Sequence, residues 1–188
     1  MKNITAVIPV RQGSQRVKNK NFREFAGKSL LEHKIDVIKK LPVNEIIINT
    51  DSEYHEYLAK VTDAENILVT QVTAPLITVD TFIEAIDIYN NVNCNSLMSI
   101  KKIKEYLWYK NEPINYKLDY APNSQDLPDY FAPTFGVIIV NKEAMLKSKN
   151  FIYNKPNFYE LSDTEAIDID TELDFEFAEF LFKKRNNA

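Results

Sequence analysis

Short apolar runs rich in β-branched residues alternate, along the first half of the chain, with segments of helical periodicity. Three of the runs have the length and composition of buried strands: Ile4–Val10, Glu45–Thr50 and Asn66–Gln71. The segments between and after them place apolar residues three or four positions apart, as on one face of a helix. Strands that alternate with helices in this way predict an α/β fold, with a mostly parallel sheet covered on both faces.

Two helices are indicated most clearly. The first begins at Ser29, where a glutamate three positions later completes a capping box. Its apolar positions are Leu31, Ile35, Ile38 and Leu41. The second clear helix covers Val79–Val92, and a further helical segment is indicated over residues 52–60. The last amphipathic helix, Glu172–Arg185, has basic residues at its end, where they complement the helix dipole.

The pattern changes after Asn93. The runs "NSLMSIKKI" and "YLWYKN" predict strands, and "FGVIIVNKEAML" predicts a strand followed by a helix. Between them, "YAPNSQDLPDYFAP" is rich in proline and polar residues and predicts a loop or a projecting arm. No repeat or flexible linker divides the chain. We therefore predict one domain over residues 1–188, with an inserted arm over residues 101–134.

Composition narrows the function classes. The chain has 188 residues and a net charge of -4, which argues against a nucleic-acid or anionic-membrane partner. Its single cysteine, Cys94, excludes an intrachain disulfide and fits a reducing compartment. No apolar run has the length of a signal peptide or a membrane-spanning helix. We expect a cytoplasmic protein.

A basic loop directly follows the first predicted strand, although the chain as a whole is acidic. In open parallel sheets, ligands bind at the carboxyl ends of strands, which is where this loop begins. Arg11 and Lys20 can neutralise phosphate oxygens, Ser14 can donate a hydrogen bond, and Gly13 allows close approach to the backbone. A solvated basic loop is the alternative. Because the cations cluster in an acidic chain, we favour phosphate binding.

Gly27, Lys28 and Ser29 resemble the end of a phosphate-binding P-loop. The pattern needs a glycine at position 22, where Phe22 stands, and a long loop separates this stretch from the preceding strand. A tight turn leading into the Ser29 helix cap is the better interpretation. The dinucleotide fingerprint G-x-G-x-x-G is absent from the sequence.

An acidic pair lies in the stretch "AIDIDTELD". In an extended segment Asp168 and Asp170 project together, with the flanking isoleucines on the other face. Two convergent carboxylates suit Mg²⁺, which prefers oxygen ligands and is often shared with substrate phosphates. Alternatively, Thr171 caps a helix whose N-terminus favours acidic residues. The two interpretations are compatible, and spacing alone does not bring the acidic pair to the basic loop.

Four stretches of the chain resemble, in order, the motifs of the acylneuraminate cytidylyltransferases, the CMP-sialic acid synthetase group. They are "IPVRQGSQRVKNKNFREFAGKSLLEH", "IIINTD", "TQVTAPLITVDTFIEA" and "AIDIDTELDFEFAE". The resemblance implies a Rossmann-like nucleotidyltransferase fold whose inserted arm makes a homodimer. It also implies a reaction in which the anomeric hydroxyl of a sugar acid attacks the α-phosphate of CTP and releases pyrophosphate.

The same resemblance assigns roles to individual residues. Arg11, Ser14 and Lys20 would hold the triphosphate, and Asn21 and Gln71 would contact the nucleotide. Asp168 and Asp170 would hold Mg²⁺, and we count Arg11, Lys20 and Asp170 as the catalytic residues. Either a metal-activated hydroxyl or one of the two aspartates could take the proton of the acceptor.

The chain departs from the family pattern around the acceptor. The segment that usually separates the second helix from the Q-P-T-S-P strand is missing. Val72 replaces a proline and Ile77 an arginine of that motif, and Ala132 stands where a basic residue is expected. Two alternatives therefore stay open, a nucleotidyltransferase with a different small acceptor and a silent nucleotide-binding partner subunit.

Overall fold

The computed structural model describes residues 2–10, 16–49 and 60–186. Its strands are β1 (Ile4–Pro9), β2 (Glu24–Phe25), β3 (Lys28–Ser29), β4 (Glu45–Asn49), β5 (Asn66–Val69), β6 (Ser96–Ile103), β7 (Trp108–Tyr109), β8 (Glu112–Pro113), β9 (Tyr130–Asn141) and β10 (Asn157–Glu160). Its helices are α1 (Leu30–Ile38), α2 (Val79–Asn91), α3 (Lys142–Ser148) and α4 (Glu172–Asn186), with a 3₁₀ turn at Ser124–Asp126. The predicted helix over residues 52–60 lies, except for its last residue, outside the described part of the chain. None of the described helices is long and apolar enough to cross a membrane.

A six-stranded sheet forms the centre of the molecule, in the order β10-β6-β9-β5-β1-β4. β1 pairs in parallel with β4 and β5, and β6 pairs in parallel with β10. β9 runs antiparallel to both of its neighbours, β5 and β6. Within this described sheet β9 alone runs against the others, which confirms the mostly parallel α/β fold. The carboxyl ends of the remaining strands therefore meet at one edge.

Apolar side chains cover both faces of the sheet, as the alternation of strands and helices predicts. On one face the core joins Ile8, Leu68 and Ile139 of the sheet to Leu30 of α1, Phe82 of α2 and Phe175 of α4. On the other face it joins Val7, Ile67 and Ile138 to Met145 of α3. Because strand neighbours alternate between the faces, one strand contributes to both cores.

The start of α1 confirms the predicted turn and cap. The chain reverses between β2 and β3 through Ala26 and Gly27, whose φ angles are 49° and 88°. Ser29 and Glu32 then make both hydrogen bonds of a capping box. Gly27, Lys28 and Ser29 therefore form a structural turn rather than a phosphate loop.

Three predictions in the second half of the chain need correction. The strand β10 was not predicted, because its four residues alternate between partly buried and exposed positions at a sheet edge. Only Trp108–Tyr109 of the predicted strand "YLWYKN" is a strand. The strand β9 begins at Tyr130, inside the stretch predicted as a loop, because it pairs there with the end of β6.

Candidate active site

The described site residues gather at the carboxyl edge of the sheet. Lys20 and Asn21 follow β1, Gln71 follows β5, and Asp168 and Asp170 follow β10. Three further predicted residues, Arg11, Gly13 and Ser14, lie outside the described residues. The strand order thus brings segments from the beginning, middle and end of the chain to one edge, where ligands of open α/β sheets bind.

Lys20 of the basic loop meets the acidic pair. Its side chain is only 11% exposed, and its Nζ lies 3.9 Å from Oδ1 of Asp170. The same ammonium donates a hydrogen bond to the backbone carbonyl of Ile169. The basic loop and the acidic pair therefore lie in contact, which the spacing in the sequence left undecided.

Arg16 is a second cation at Asp170. Its Nη1 lies 3.0 Å from Oδ2 of Asp170, and both side chains are largely exposed. An exposed ion pair of this kind contributes little to stability, about 0–1 kcal/mol. The Arg16 guanidinium therefore stays accessible to other anions. Sequence reasoning assigned Arg16 no role, although it lies in the basic loop.

Asp168 lies deeper than Asp170. Its Oδ1 is buried and has no hydrogen-bond partner among the described residues. Burial raises the pKa of Asp168, the hydrogen bond from Thr73 opposes this, and the charge of Asp170 raises it further. A buried carboxylate oxygen without a donor suits a cation. Over the described ranges, no three His, Cys, Asp or Glu side chains form a metal cluster, so the pair would need oxygens from substrate or water.

A turn after β5 ties Gln71 to the acidic pair. The backbone N–H of Ile169 donates to the carbonyl of Thr73 at 2.9 Å. The Thr73 hydroxyl lies 3.2 Å from Oε1 of Gln71 and also hydrogen-bonds the Asp168 carboxylate, so its one proton is shared between these two acceptors. The Gln71 amide is therefore held beside Asp168 by a residue between them, which the sequence did not single out.

The helix-start interpretation of the acidic stretch is also confirmed. Oδ2 of Asp174 accepts from the backbone N–H of Asp170 at 3.1 Å and of Thr171 at 2.7 Å. Burial raises the pKa of Asp174, but the hydrogen bonds from Thr171 and Asp170 outweigh it and lower the pKa overall. The Thr171 hydroxyl in turn accepts from the N–H of Asp174 at 3.2 Å, so Thr171 caps α4 as predicted and Asp174 is occupied in the same cap.

Asn21 joins the basic loop to the start of α1. Its side chain is buried, and its backbone carbonyl accepts from the N–H of Leu31 at 3.1 Å. The loop end is therefore fixed, and this fixes Lys20 beside it.

Lys34 lies next to the candidate site, and the sequence analysis did not identify it. It lies between Leu30 and Ile38 on the buried line of α1, and it is 2% exposed. Its Nζ donates to the carbonyl of Ala74 at 2.8 Å, at the end of the turn after β5. The prediction placed Leu31 and Ile35 on the core face, and they are only partly buried. The burial of Lys34 was not predicted, because a charged residue is seldom fully buried.

Ala132 stands where a basic residue was expected, and the neighbouring strand has a lysine directly opposite it. Ala132 in β9 pairs directly with Lys101 in β6. Directly opposed residues of an antiparallel pair project from the same face, with their Cβ atoms about 4.5–5.5 Å apart. Lys101 is exposed and has no ion pair with any residue that the structure describes. The ammonium of Lys101 therefore lies on the same face of the sheet as the uncharged side chain of Ala132.

Comparison with known proteins identifies the family of this chain. Residues 5–187 match the family model described as cytidylyltransferase. The N-acylneuraminate cytidylyltransferase of Streptococcus agalactiae is 23% identical over 90% of this chain, which spans about half (51%) of that relative's length. The CMP-N,N'-diacetyllegionaminic acid synthase of Legionella pneumophila is 27% identical, over 98% of both chains.

A solved structure has the same fold. It is the CMP:2-keto-3-deoxy-manno-octonic acid synthetase complexed with CTP, with a TM-score of 0.71 over 98% of this chain and all of that one. The sequences are 13% identical, so this likeness concerns the fold alone. The family match spans nearly the whole chain, including Lys20 and the acidic pair. This chain belongs to the cytidylyltransferase family.

Proposed function

We propose that this protein transfers CMP from CTP to a 3-deoxy-2-ulosonic acid of the sialic type and releases pyrophosphate. The observation that carries the proposal is the meeting of Lys20 with Asp170 at the carboxyl edge of the sheet. Both kinds of charge that a metal–nucleotide needs, cations for phosphate and carboxylates for metal, occur there within contact distance. The names of the relatives support this substrate class.

In this proposal the cations bind the triphosphate. Lys20 and Arg16, which form ion pairs with Asp170, turn to phosphate oxygens, and Arg11 and Ser14 join them from the same loop. Asn21 and Gln71 contact the nucleotide. The acceptor hydroxyl oxygen forms a bond to the α-phosphorus while the bond to pyrophosphate breaks, and the hydroxyl proton passes to one of the two aspartates or to water. Cations stabilise the charge that develops on the phosphate oxygens, and no covalent intermediate with the protein is needed.

Asp168 and Asp170 fit Mg²⁺. Both offer carboxylate oxygens, and Oδ1 of Asp168 is buried without a hydrogen-bond donor among the described residues. When bound, Mg²⁺ would polarise a phosphate oxygen and neutralise charge in the transition state. In the proposal Asp170 exchanges its ion pairs with Arg16 and Lys20 for the metal, as those two cations turn to the phosphates.

The acceptor side is proposed to use Lys101. A 2-ulosonic acid has a carboxylate next to its anomeric carbon, so it needs a cation near the reacting hydroxyl. Lys101 offers one at the position where Ala132 has none. Arginine and lysine bind carboxylates with different geometry. With Lys101 in place of a basic residue at position 132, this protein would therefore prefer different ulosonic acids from its relatives.

The arm is proposed to bind a second copy of the chain. Between β6 and β9, four large side chains are more than half exposed: Trp108, Tyr109, Leu118 and Tyr120. An apolar group of this kind is typical of an interface between proteins. We place the homodimer in the cytoplasm, where its nucleotide substrate is made.

Pyrophosphate release tests the proposal. The assay contains CTP, Mg²⁺ and a panel of ulosonic acids, with Asp170→Ala and the exposed control Asp163→Ala run beside the parent. We expect release that depends on the acceptor and is lost in Asp170→Ala, but kept in Asp163→Ala. Release only with another acceptor would replace the ulosonic acid in the proposal. CTP binding in a separate titration, without release from any acid tried, would point to the silent nucleotide-binding partner subunit.

A further inference from the structure

Lys34 is the one charged residue in the buried interior of the described residues. Burying an ammonium is unfavourable unless it is hydrogen-bonded and its charge is balanced. Its neighbours along the helix, Leu30 and Ile38, are fully buried apolar residues. An apolar residue at position 34 would therefore fit the helix pattern better, so the ammonium itself needs an explanation.

The ammonium has a specific partner. Nζ of Lys34 donates to the carbonyl of Ala74 at 2.8 Å and lies 5.3 Å from the ring centroid of Phe82. Ala74 closes the turn after β5, where its N–H donates to the carbonyl of Gln71 at 3.4 Å. Lys34 thus reaches from the core of α1 to the turn that carries Gln71.

The preceding peptide group of the same turn, whose carbonyl belongs to Thr73, contacts the segment with the acidic pair. The carbonyl of Thr73 accepts the N–H of Ile169, which lies between Asp168 and Asp170. The Thr73 hydroxyl also lies 3.2 Å from Oε1 of Gln71. Adjacent carbonyls of one turn therefore accept from two different segments, from α1 and from the segment with the acidic pair.

We propose that Lys34 is a positioning residue, which fixes the turn after β5 and thereby sets the placement of Asp168 and Asp170. The inference rests on the proposed function only for its catalytic consequence, since the mechanical link exists without substrate. The negative charge of Asp168 also acts on Lys34, against the effect of burial. The lysine is thereby linked to the site both by hydrogen bonds and by charge.

Hydrogen exchange of the Ile169 amide tests the mechanical link directly. The variants are Lys34→Met, which keeps the volume but has no donor, and Lys34→Gln, which keeps a donor without charge. Ile38→Ala, four residues later on the same buried line, is the matched control for loss of core packing. The Leu68 amide in β5 serves as the internal reference for global stability.

We expect Lys34→Met to speed exchange at Ile169 relative to Leu68 by about tenfold or more, because the turn opens locally. Ile38→Ala should lower the melting temperature and speed exchange at Leu68, which reports global unfolding, while exchange at Ile169, which reports the local opening, changes by no more than about twofold. Lys34→Gln should give an intermediate ratio, and it decides the matter if Lys34→Met does not fold. An unchanged ratio in the lysine variants would overturn the proposal.

Kinetics then measure the catalytic consequence. We expect Lys34→Met to lower kcat/KM for CTP by about tenfold or more, since small misplacements of catalytic groups are costly. Ile38→Ala should stay within about twofold of the parent at a temperature well below its melting point. If the parent releases no pyrophosphate, the proposed function fails, while the exchange ratio still decides the role of Lys34.

Discussion

The ammonium of Lys20 lies 3.9 Å from the carboxylate of Asp170, although nearly the whole chain separates the two residues. Lys20 also donates to the carbonyl of Ile169, 149 positions away in the sequence. A contact of this kind costs loop-closure entropy that only the packed sheet can offset. The pair therefore marks the place where the fold assembles a site from its two ends.

Replacing Lys20 tests the phosphate role. We expect Lys20→Met to lower kcat/KM for CTP by about 10²–10³-fold, the usual loss when one preorganised donor is removed from a developing charge. Steady-state pyrophosphate release measures it. Lys18→Met is the control, because Lys18 is exposed in the same loop and has no ion pair in the described part of the chain. Equal losses of kcat/KM in both variants would show that the loop attracts CTP only through its general positive charge.

Replacing Asp168 should stabilise the metal-free protein and weaken its binding of metal. Burial raises its pKa, so its ionised form destabilises the fold above that pKa. We expect Asp168→Asn to raise the melting temperature of the metal-free protein by roughly 2–4 °C, the scale for about 1 kcal/mol at this chain length. The gain is limited because the side chain is partly exposed.

The same variant should bind metal poorly. Mn²⁺ titration in the presence of CTP, followed by electron paramagnetic resonance, should show at least about tenfold weaker binding, since a carboxylate ligand is lost. Asp163→Asn, an exposed aspartate outside the site, should change neither quantity. A variant that is both less stable and unchanged in Mn²⁺ affinity would remove Asp168 from the metal site.

Lys34 predicts a distinct dependence of stability on pH. Burial lowers its pKa to about 7, against the effect of Asp168, whereas the unfolded chain has the ordinary value of 10.5. Between these values the unfolded chain holds the extra proton, so the free energy of unfolding rises with pH through this window. Below about pH 7 both states hold the proton and this contribution is flat.

Urea denaturation at about pH 7 and pH 9 measures this dependence, and the comparison is with Lys34→Met. We expect the parent to gain roughly 1–3 kcal/mol over this range relative to the variant, since one proton contributes up to about 1.4 kcal/mol per pH unit. Parallel pH profiles for parent and variant would show that Lys34 keeps its ordinary pKa in the folded protein.

The sequence predicted the parts of this site better than their assembly. Asp168 and Asp170 alternate in an extended stretch, and Lys20 follows a strand, so each was visible from local periodicity. Their contact was not visible, because it depends on the strand order, and the short edge strand β10 that precedes the acidic pair went unrecognised. Lys34 was missed because its burial depends on a carbonyl acceptor from another segment, at Ala74.

The arm predicts the oligomeric state. Leu118 in the arm is 73% exposed, so a glutamate there should cost the monomer little but should disrupt an apolar interface. We expect sedimentation equilibrium to show a dimer for the parent and a monomer for Leu118→Glu. Leu173→Glu is the matched control, because Leu173 is 74% exposed but lies on α4. Dissociation by Leu173→Glu alone would move the interface to the C-terminal helix.

Lys101 predicts where specificity for the acceptor resides. We expect Lys101→Ala to raise KM for the ulosonic acid by about tenfold or more, since a charge-assisted hydrogen bond to its carboxylate is lost. KM for CTP should stay within about twofold, because the nucleotide is held by other residues. Lys102→Ala is the control: its side chain points to the opposite face and pairs with Asp129 and Glu160.

The double variant Lys101→Ala with Ala132→Arg completes the argument. An arginine at position 132 projects from the same face as Lys101, so it should restore acceptor KM to within about threefold of the parent. Restoration would show that the face needs a cation and that the strand supplying it has changed. If Lys101→Ala leaves acceptor KM unchanged, the carboxylate is bound elsewhere, and the chain has lost this cation without replacing it.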